Sequence, residues 1–202
     1  SKGLSYSSSQ MKSTIGAVKV PDERLQKLAN IFHPKKITRA EVNYVDVPRL
    51  GDATRQTQGI SGEYLNQLQR VDALIIVSRA FDNPSVPIDS SGVDVFRDIE
   101  TMLYELMFAD LGILDQRLMR IENNFKSAKS TDRDKLTREQ DLMSRVKKSL
   151  ENGKLIRQQS LSTEDRNRIE GYRFLTNKPV IVVANVDESD IGNTQEIEKR
   201  LS

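Results

Sequence analysis

Apolar residues recur along this chain in two rhythms, and the change between them divides it. Up to about residue 94 they come in short runs separated by amphipathic stretches. Thr14 to Val20 and Ala40 to Asp46 read as strands. Between them Leu25, Leu28, Ala29 and Phe32 recur at three- and four-residue spacing, which predicts a helix from about Asp22 to Phe32 that buries this stripe. Pro21-Asp22 opens that helix and Pro34 closes it. A second helix is expected over Gly62 to Arg70, then a strand over Val71 to Ser78. After Pro179, the unbroken run Val180 to Ala184 has the character of a parallel strand buried on both faces. Together these segments predict an α/β fold, a sheet covered by helices.

From about Val95 the period lengthens to that of a helix. Ile99, Leu103, Leu106, Ile113, Leu118, Ile121 and Phe125 form one long apolar stripe, and Leu136, Met143, Val146 and Leu150 form another beyond the polar stretch Lys126 to Arg133. Two long helices joined by a short polar turn predict an antiparallel coiled-coil hairpin over Val95 to Glu151, because each seam must bury against something. Two ordinary core-packing helices would share this pattern. Charged residues dominate between 115 and 157, leaving little apolar surface beyond one seam per helix, so the pair reads as an arm whose removal should leave the sheet folded. Ser162-Thr163-Glu164-Asp165 reads as a helix start that returns the chain to the sheet. The expected organisation is therefore 1–94, an inserted helical segment 95–157, and a return over 158–202.

Composition removes several chemistries. The 202 residues contain no cysteine, so disulfides and thiolate metal sites are excluded. His33, the single histidine, lies beside Pro34 at a helix end and reads as a surface or capping residue, which leaves a Ser-His-Asp mechanism without a base. No apolar run reaches the roughly 20 residues of a membrane span, and the Ser-rich start lacks a signal peptide's hydrophobic region, so a cytoplasmic protein without a membrane partner is expected. Lys and Arg number 31 against 29 Asp and Glu, too even to compel nucleic-acid binding. Between 115 and 157, however, 12 basic residues face 7 acidic ones. That excess is either a solvated face or a projection able to rest on RNA phosphates.

Two strand ends carry the candidate chemistry. The apolar run at Val180 stops abruptly at Asn185-Val186-Asp187-Glu188, and α/β sheets gather ligands at the carboxyl ends of their strands. Asn-x-x-Glu in that place resembles a nucleotide-base specificity loop; a polar loop closing a core strand would look the same. The second is Val45-Asp46-Val47-Pro48-Arg49-Leu50-Gly51, where a strand-terminal Asp precedes a loop. In P-loop nucleotidases an Asp so placed holds Mg²⁺ and the following loop senses the γ-phosphate.

With these stretches in order, almost the whole chain resembles the YchF/Obg-like ATPase family, a branch of the translation-factor-related P-loop GTPases. The likeness rests on Val18-Lys19-Val20-Pro21-Asp22-Glu23-Arg24-Leu25, Val45 to Leu50, Asp98-Ile99-Glu100-Thr101, Ala109-Asp110-Leu111, Tyr172 to Pro179 and Ala184 to Glu188. The resemblance implies a P-loop GTPase-like sheet with flanking helices and a helical hairpin inserted before the base-recognition strand. It implies that Asn185, Val186 and Glu188 lie against the purine, with Glu188 in place of the Asp that confers guanine preference, so ATP is favoured over GTP. It makes Asp46 the switch residue on the Mg²⁺ side, through water, and puts Arg49 and Leu50 beside the γ-phosphate.

The departures from the pattern are specific. No G-x-x-x-x-G-K-[ST] occurs in the 202 residues, so the chain is expected to be a fragment, starting after the phosphate loop and stopping before the family's C-terminal domain, and inactive by itself. Gln10 to Gly16 replaces a Thr-containing first switch, leaving Ser9 or Ser13 for its Mg²⁺ contact. Arg49 stands where the family carries a switch glycine, and Leu50 where many GTPases carry a water-orienting Gln. Leucine cannot orient water by hydrogen bonding. The resemblance thus implies part of an ATP- or GTP-hydrolysing, ribosome-associated protein; the alternative is a non-catalytic module that docks on a ribosome or protein through its arm.

Overall fold

The computed structural model describes residues 14–47, 59–60, 62–81, 92–188, 192 and 199. Arg49, Leu50, Ser9 and residues 10–13 of the first switch segment lie outside the described residues. The chain divides into two compact units, Ser1–Thr57 and Gln58–Ser202.

In the first unit, β1 (Thr14–Lys19) pairs antiparallel with β2 (Glu41–Asp46), in register from Thr14↔Asp46 to Lys19↔Glu41. Helix α1 (Glu23–Phe32) connects them. Its start is local chemistry: the Asp22 carboxylate accepts from the Arg24 backbone N–H at 2.9 Å and takes the Arg24 guanidinium at 3.0 Å. Its end is His33, left-handed at φ 45°, whose N–H donates to the Ala29 carbonyl, so the histidine is a cap. The expected burial of α1 is mostly not met. Only Ala29 is buried, while Leu28 is 51% and Phe32 73% exposed. Among the described residues of this unit, two strands and one helix offer too little surface to cover an apolar stripe.

In the second unit, α2 (Gly62–Arg70) leads into β3 (Leu74–Arg79), and β4 (Val180–Asn185) runs parallel to it, from Leu74↔Val180 to Arg79↔Asn185. The described strands thus form two separate two-stranded sheets, where the sequence suggested one. Leu74, Ile76 and Ser78 face inward, and Val95, Ile99, Leu106 and Ala109 of α3 (Val95–Phe125) pack in the clusters on that side.

The 31-residue α3 then continues past the sheet and pairs with α4 (Ser130–Glu151). Met107, Leu114 and Ile121 are buried at seven-residue intervals, with Leu111 and Leu118 half-buried between them and Phe125 half-buried beyond, against Leu142, Met143, Val146 and Leu150. The connecting turn is shorter than the polar stretch suggested, because α4 already begins at Ser130. The first half of α3 is a core helix and the second half is one leg of a helix hairpin. The hairpin is not a detached arm, since its base shares one core with Leu155, Ile156, Ile169 and Phe174. Helix α5 (Thr163–Glu170) starts as expected, with the Ser162 hydroxyl accepting from the Asp165 N–H at 3.0 Å.

Candidate functional site

The carboxyl ends of β3 and β4 lie side by side, as a ligand-binding crevice of a parallel sheet requires. Asn185, the last residue of β4, accepts the Ala80 N–H on its carbonyl at 2.7 Å, which leaves its side chain exposed. Val186 is half-buried, and Asp187 and Glu188 are exposed. An amide with donors and an acceptor, an apolar residue and a carboxylate are thus presented together, a set able to hydrogen-bond the edge of a flat heterocycle and cover its face. Sequence reasoning missed the other wall. Arg79, opposite Asn185, donates from Nε to the Phe81 carbonyl at 2.8 Å, and its guanidinium lies 4.9 Å from the Phe81 ring centroid. Beside it the Ser78 hydroxyl is buried with no hydrogen-bond partner among the described residues.

The segment entering β4 is held from three sides. Asp110 of α3, fully buried, accepts from the Leu175 N–H at 2.8 Å, the Thr176 N–H at 2.7 Å and the Thr176 hydroxyl at 2.7 Å. Burial pushes this carboxyl up to about 6, against the pull of those donors. Lys178 donates to the Gln69 carbonyl at 3.1 Å and to the Val71 carbonyl, capping the end of α2, and burial pulls its ammonium below its ordinary value. Tyr172 donates to Glu139 at 2.7 Å, and Arg117 grips the same carboxylate with two bonds of 2.7 Å. Burial and the Glu139 bond push the Tyr172 phenol up to about 12, while the Arg117 bond holds Glu139 below its ordinary value.

Asp46 is exposed at the end of β2, in the other unit. No group of three or more His, Asp or Glu able to hold a metal exists among the described residues. One exposed carboxylate does not make a resident Mg²⁺ site, so the side chains described fit the ion only as a contact to a metal brought by phosphates. A groove of about 720 Å³ between α4 and α5 is lined by Arg138, Arg145 and Arg168 facing Asp141, Glu164 and Asp165. Its charges are matched, with Arg145–Asp165 at 3.1 Å and Arg168–Glu164 at 2.6 Å, and it is built by residues remote in sequence from the β3–β4 loop ends. Among the described residues no helix is long and apolar enough to cross a membrane.

No protein-family model matches the chain. Individual relatives do. It is 31% identical over 179 residues to the Ribosome-binding ATPase YchF of Bacillus subtilis, spanning 89% of this chain and 48% of that protein. The Ribosome-binding ATPase YchF of Haemophilus ducreyi is 30% identical over 184 residues, 91% of this chain and 50% of that protein. Among solved structures, the Schizosaccharomyces pombe YchF GTPase superposes with a TM-score of 0.76 at 25% identity, covering 96% of this chain and 53% of that one. The chain therefore spans about half the length of the curated relatives it matches, with a mixed α/β fold and a long helix hairpin in common with the solved one. Over that span it is a relative of the YchF proteins, as its motifs suggested.

Proposed function

We propose that these residues form part of a nucleotide-binding and hydrolysing module of a cytoplasmic, ribosome-associated ATPase, with Asn185, Val186 and Glu188 as its base-recognition loop. The observation that carries this is the Asn185-to-Glu188 segment at the carboxyl end of a parallel strand, exposed at Asn185, Asp187 and Glu188, in a chain related to proteins named ribosome-binding ATPases. In this reading Glu188 favours adenine over guanine, Asp46 meets Mg²⁺ through water, and Arg49 and Leu50 flank the γ-phosphate. The Mg²⁺ arrives with the nucleotide, whose phosphates it neutralises. Residues 1–94 and 158–202 belong to the nucleotide domain, and 95–157 form a coiled-coil insertion whose basic excess rests on ribosomal or other RNA.

No step of hydrolysis is assigned to Leu50, which lacks the polar group that orients water. Arg49, standing where the family carries a switch glycine, favours a second reading, a non-catalytic module that docks through the hairpin. Titrating isotopically labelled chain with adenosine and guanosine separates the two. The nucleotide reading expects amide shifts confined to Asn185–Glu188 and Arg79–Phe81, larger with adenosine. Nucleosides that shift neither segment would leave the docking reading alone.

A further inference from the structure

Nothing in the apolar pattern of β4 says how it should align with β3. Val180, Val182 and Ala184 are half-buried on one face, while Ile181 and Val183 are 55% and 41% exposed on the other. Along β3, Leu74-Ile75-Ile76-Val77 is equally uniform. A one-residue slip exchanges one aliphatic side chain for another over Leu74–Val77 and Val180–Ala184, so within that run burial of one face discriminates little between registers, and only Asn185 at the strand end marks a misplaced face. The slip would nonetheless carry Asn185 along by about 3.3 Å and turn its side chain to the opposite face.

The alignment is set just upstream. Four residues before Val180, Thr176 is fully buried and makes three bonds: its N–H and hydroxyl donate to Asp110, and its hydroxyl oxygen accepts the Ile156 N–H at 3.3 Å. Leu175 gives its own N–H to the second Asp110 oxygen. Two residues before β4, Lys178 holds the carbonyls of Gln69 and Val71, just ahead of β3, and the Leu74 N–H meets the Pro179 carbonyl at 2.9 Å. Advancing β4 by one residue would take both buried N–H groups away from the carboxylate, and a buried donor left without a partner is strongly disfavoured. A wrong register is thus penalised upstream of the aliphatic run, which by itself discriminates little.

We infer that Asp110 is a positioning residue: through Leu175 and Thr176 it fixes the register of β4 on β3 and so places Asn185 and Glu188. Its meaning for nucleotide binding rests on the proposed base loop, but the register claim does not.

The absence of cysteine from the chain allows a clean test. Val77 and Val183 are register partners and both exposed, so the pair Val77→Cys/Val183→Cys reports the observed alignment, and Val77→Cys/Ala184→Cys reports a one-residue slip. Under mild oxidation the otherwise unaltered chain should form the first disulfide and little of the second. Asp110→Asn, which places an amide N–H₂ against donors, should shift the ratio of the two about fivefold, the effect of losing roughly one hydrogen bond. Thr176→Val should shift it in the same direction, and Thr176→Ser should restore it. Leu142→Ala, buried in the helix seam away from the clamp, should lower stability but leave the ratio unchanged. The inference is overturned if Asp110→Asn leaves the ratio unchanged, or if Leu142→Ala scrambles it equally. Should Asp110→Asn lose its helical circular dichroism, Thr176→Val decides alone, and an unaltered ratio there rejects the claim. None of these outcomes involves a nucleotide, so failure here is distinct from failure of the base-loop reading.

Discussion

Asp110 and Glu139 are tied to neighbouring segments by opposite electrostatics, and pH should separate them. Burial raises Asp110 from 3.8 to about 6, so the folded chain binds its proton more tightly than the unfolded chain does. Its contribution therefore favours folding most below about pH 4 and declines as pH rises through 6, by at most about 3 kcal/mol. Glu139, held down by Arg117, works the other way and loses its contribution as pH falls through its depressed value. Urea unfolding of the chain and of Asp110→Asn at several pH values isolates the first effect. The wild-type advantage should shrink from pH 4 to pH 7; an advantage that grows would contradict the burial argument. His33 offers a second test, because its left-handed φ of 45° suits glycine. His33→Gly should stabilise the first unit by about 0.5–1 kcal/mol in the same assay. The caps at Asp22 and Ser162 were legible in the sequence because their partners lie two or three residues away. Asp110 stood out only as one residue of a family-like stretch, since its partners are 65 and 66 residues distant and no local pattern marks them.

At the scale of elements, helices and strands were readable where periodicity is local, as in α2 over Gly62–Arg70 and β4 after Pro179. Strand pairing was not, because about a hundred residues of chain separate β3 from β4 and nothing in Val-Ile-Val-Val names its partner. The hairpin shows the same limit. Its seam was visible, but not the ties at its base, where Arg117, Glu139 and Tyr172 bind α3, α4 and the entry to β4 together. The expectation that the arm can be removed without harm to the body needs correcting accordingly. Excising 115–145 deletes Arg117, Glu139, Leu142 and Met143, and should cause a large loss of thermal stability. Replacing only Glu122 to Lys135 by a short glycine turn should keep the fold, since the fully buried hairpin positions from Leu142 onward remain. Thermal melts of the two deletions check this, and equal melting temperatures would mean that the base network contributes little. The same tip carries exposed Lys126, Lys129, Arg133 and Lys135 beside exposed Glu122, Asp132 and Asp134, four basic residues against three acidic. Its loss should weaken RNA association at low salt and matter little at high salt. Unchanged RNA binding at low salt would remove the tip as an RNA contact.

For the molecule as a whole, the balance of base and phosphate recognition decides what these residues can do alone. A cradle of backbone N–H groups and a Lys supplies much of a nucleotide's affinity in P-loop proteins, and the 202 residues hold no such motif. Calorimetry with Mg–ATP or Mg–GTP should therefore find binding no tighter than about millimolar, some 4 kcal/mol. A micromolar one-to-one site would mean that another surface holds phosphate. The family likeness was legible across nearly the whole chain, because its motifs are contiguous in sequence; the partition into two units was not, because it depends on which strands pair. The central claim is that Glu188 chooses the base, and it can be measured without any phosphate. Nucleoside affinities, read from the Asn185–Glu188 amides of the chain and of Glu188→Asp, test it directly: the account predicts adenosine preferred by the first and a shift toward guanosine in the second, whereas an unchanged adenosine-to-guanosine ratio would contradict it.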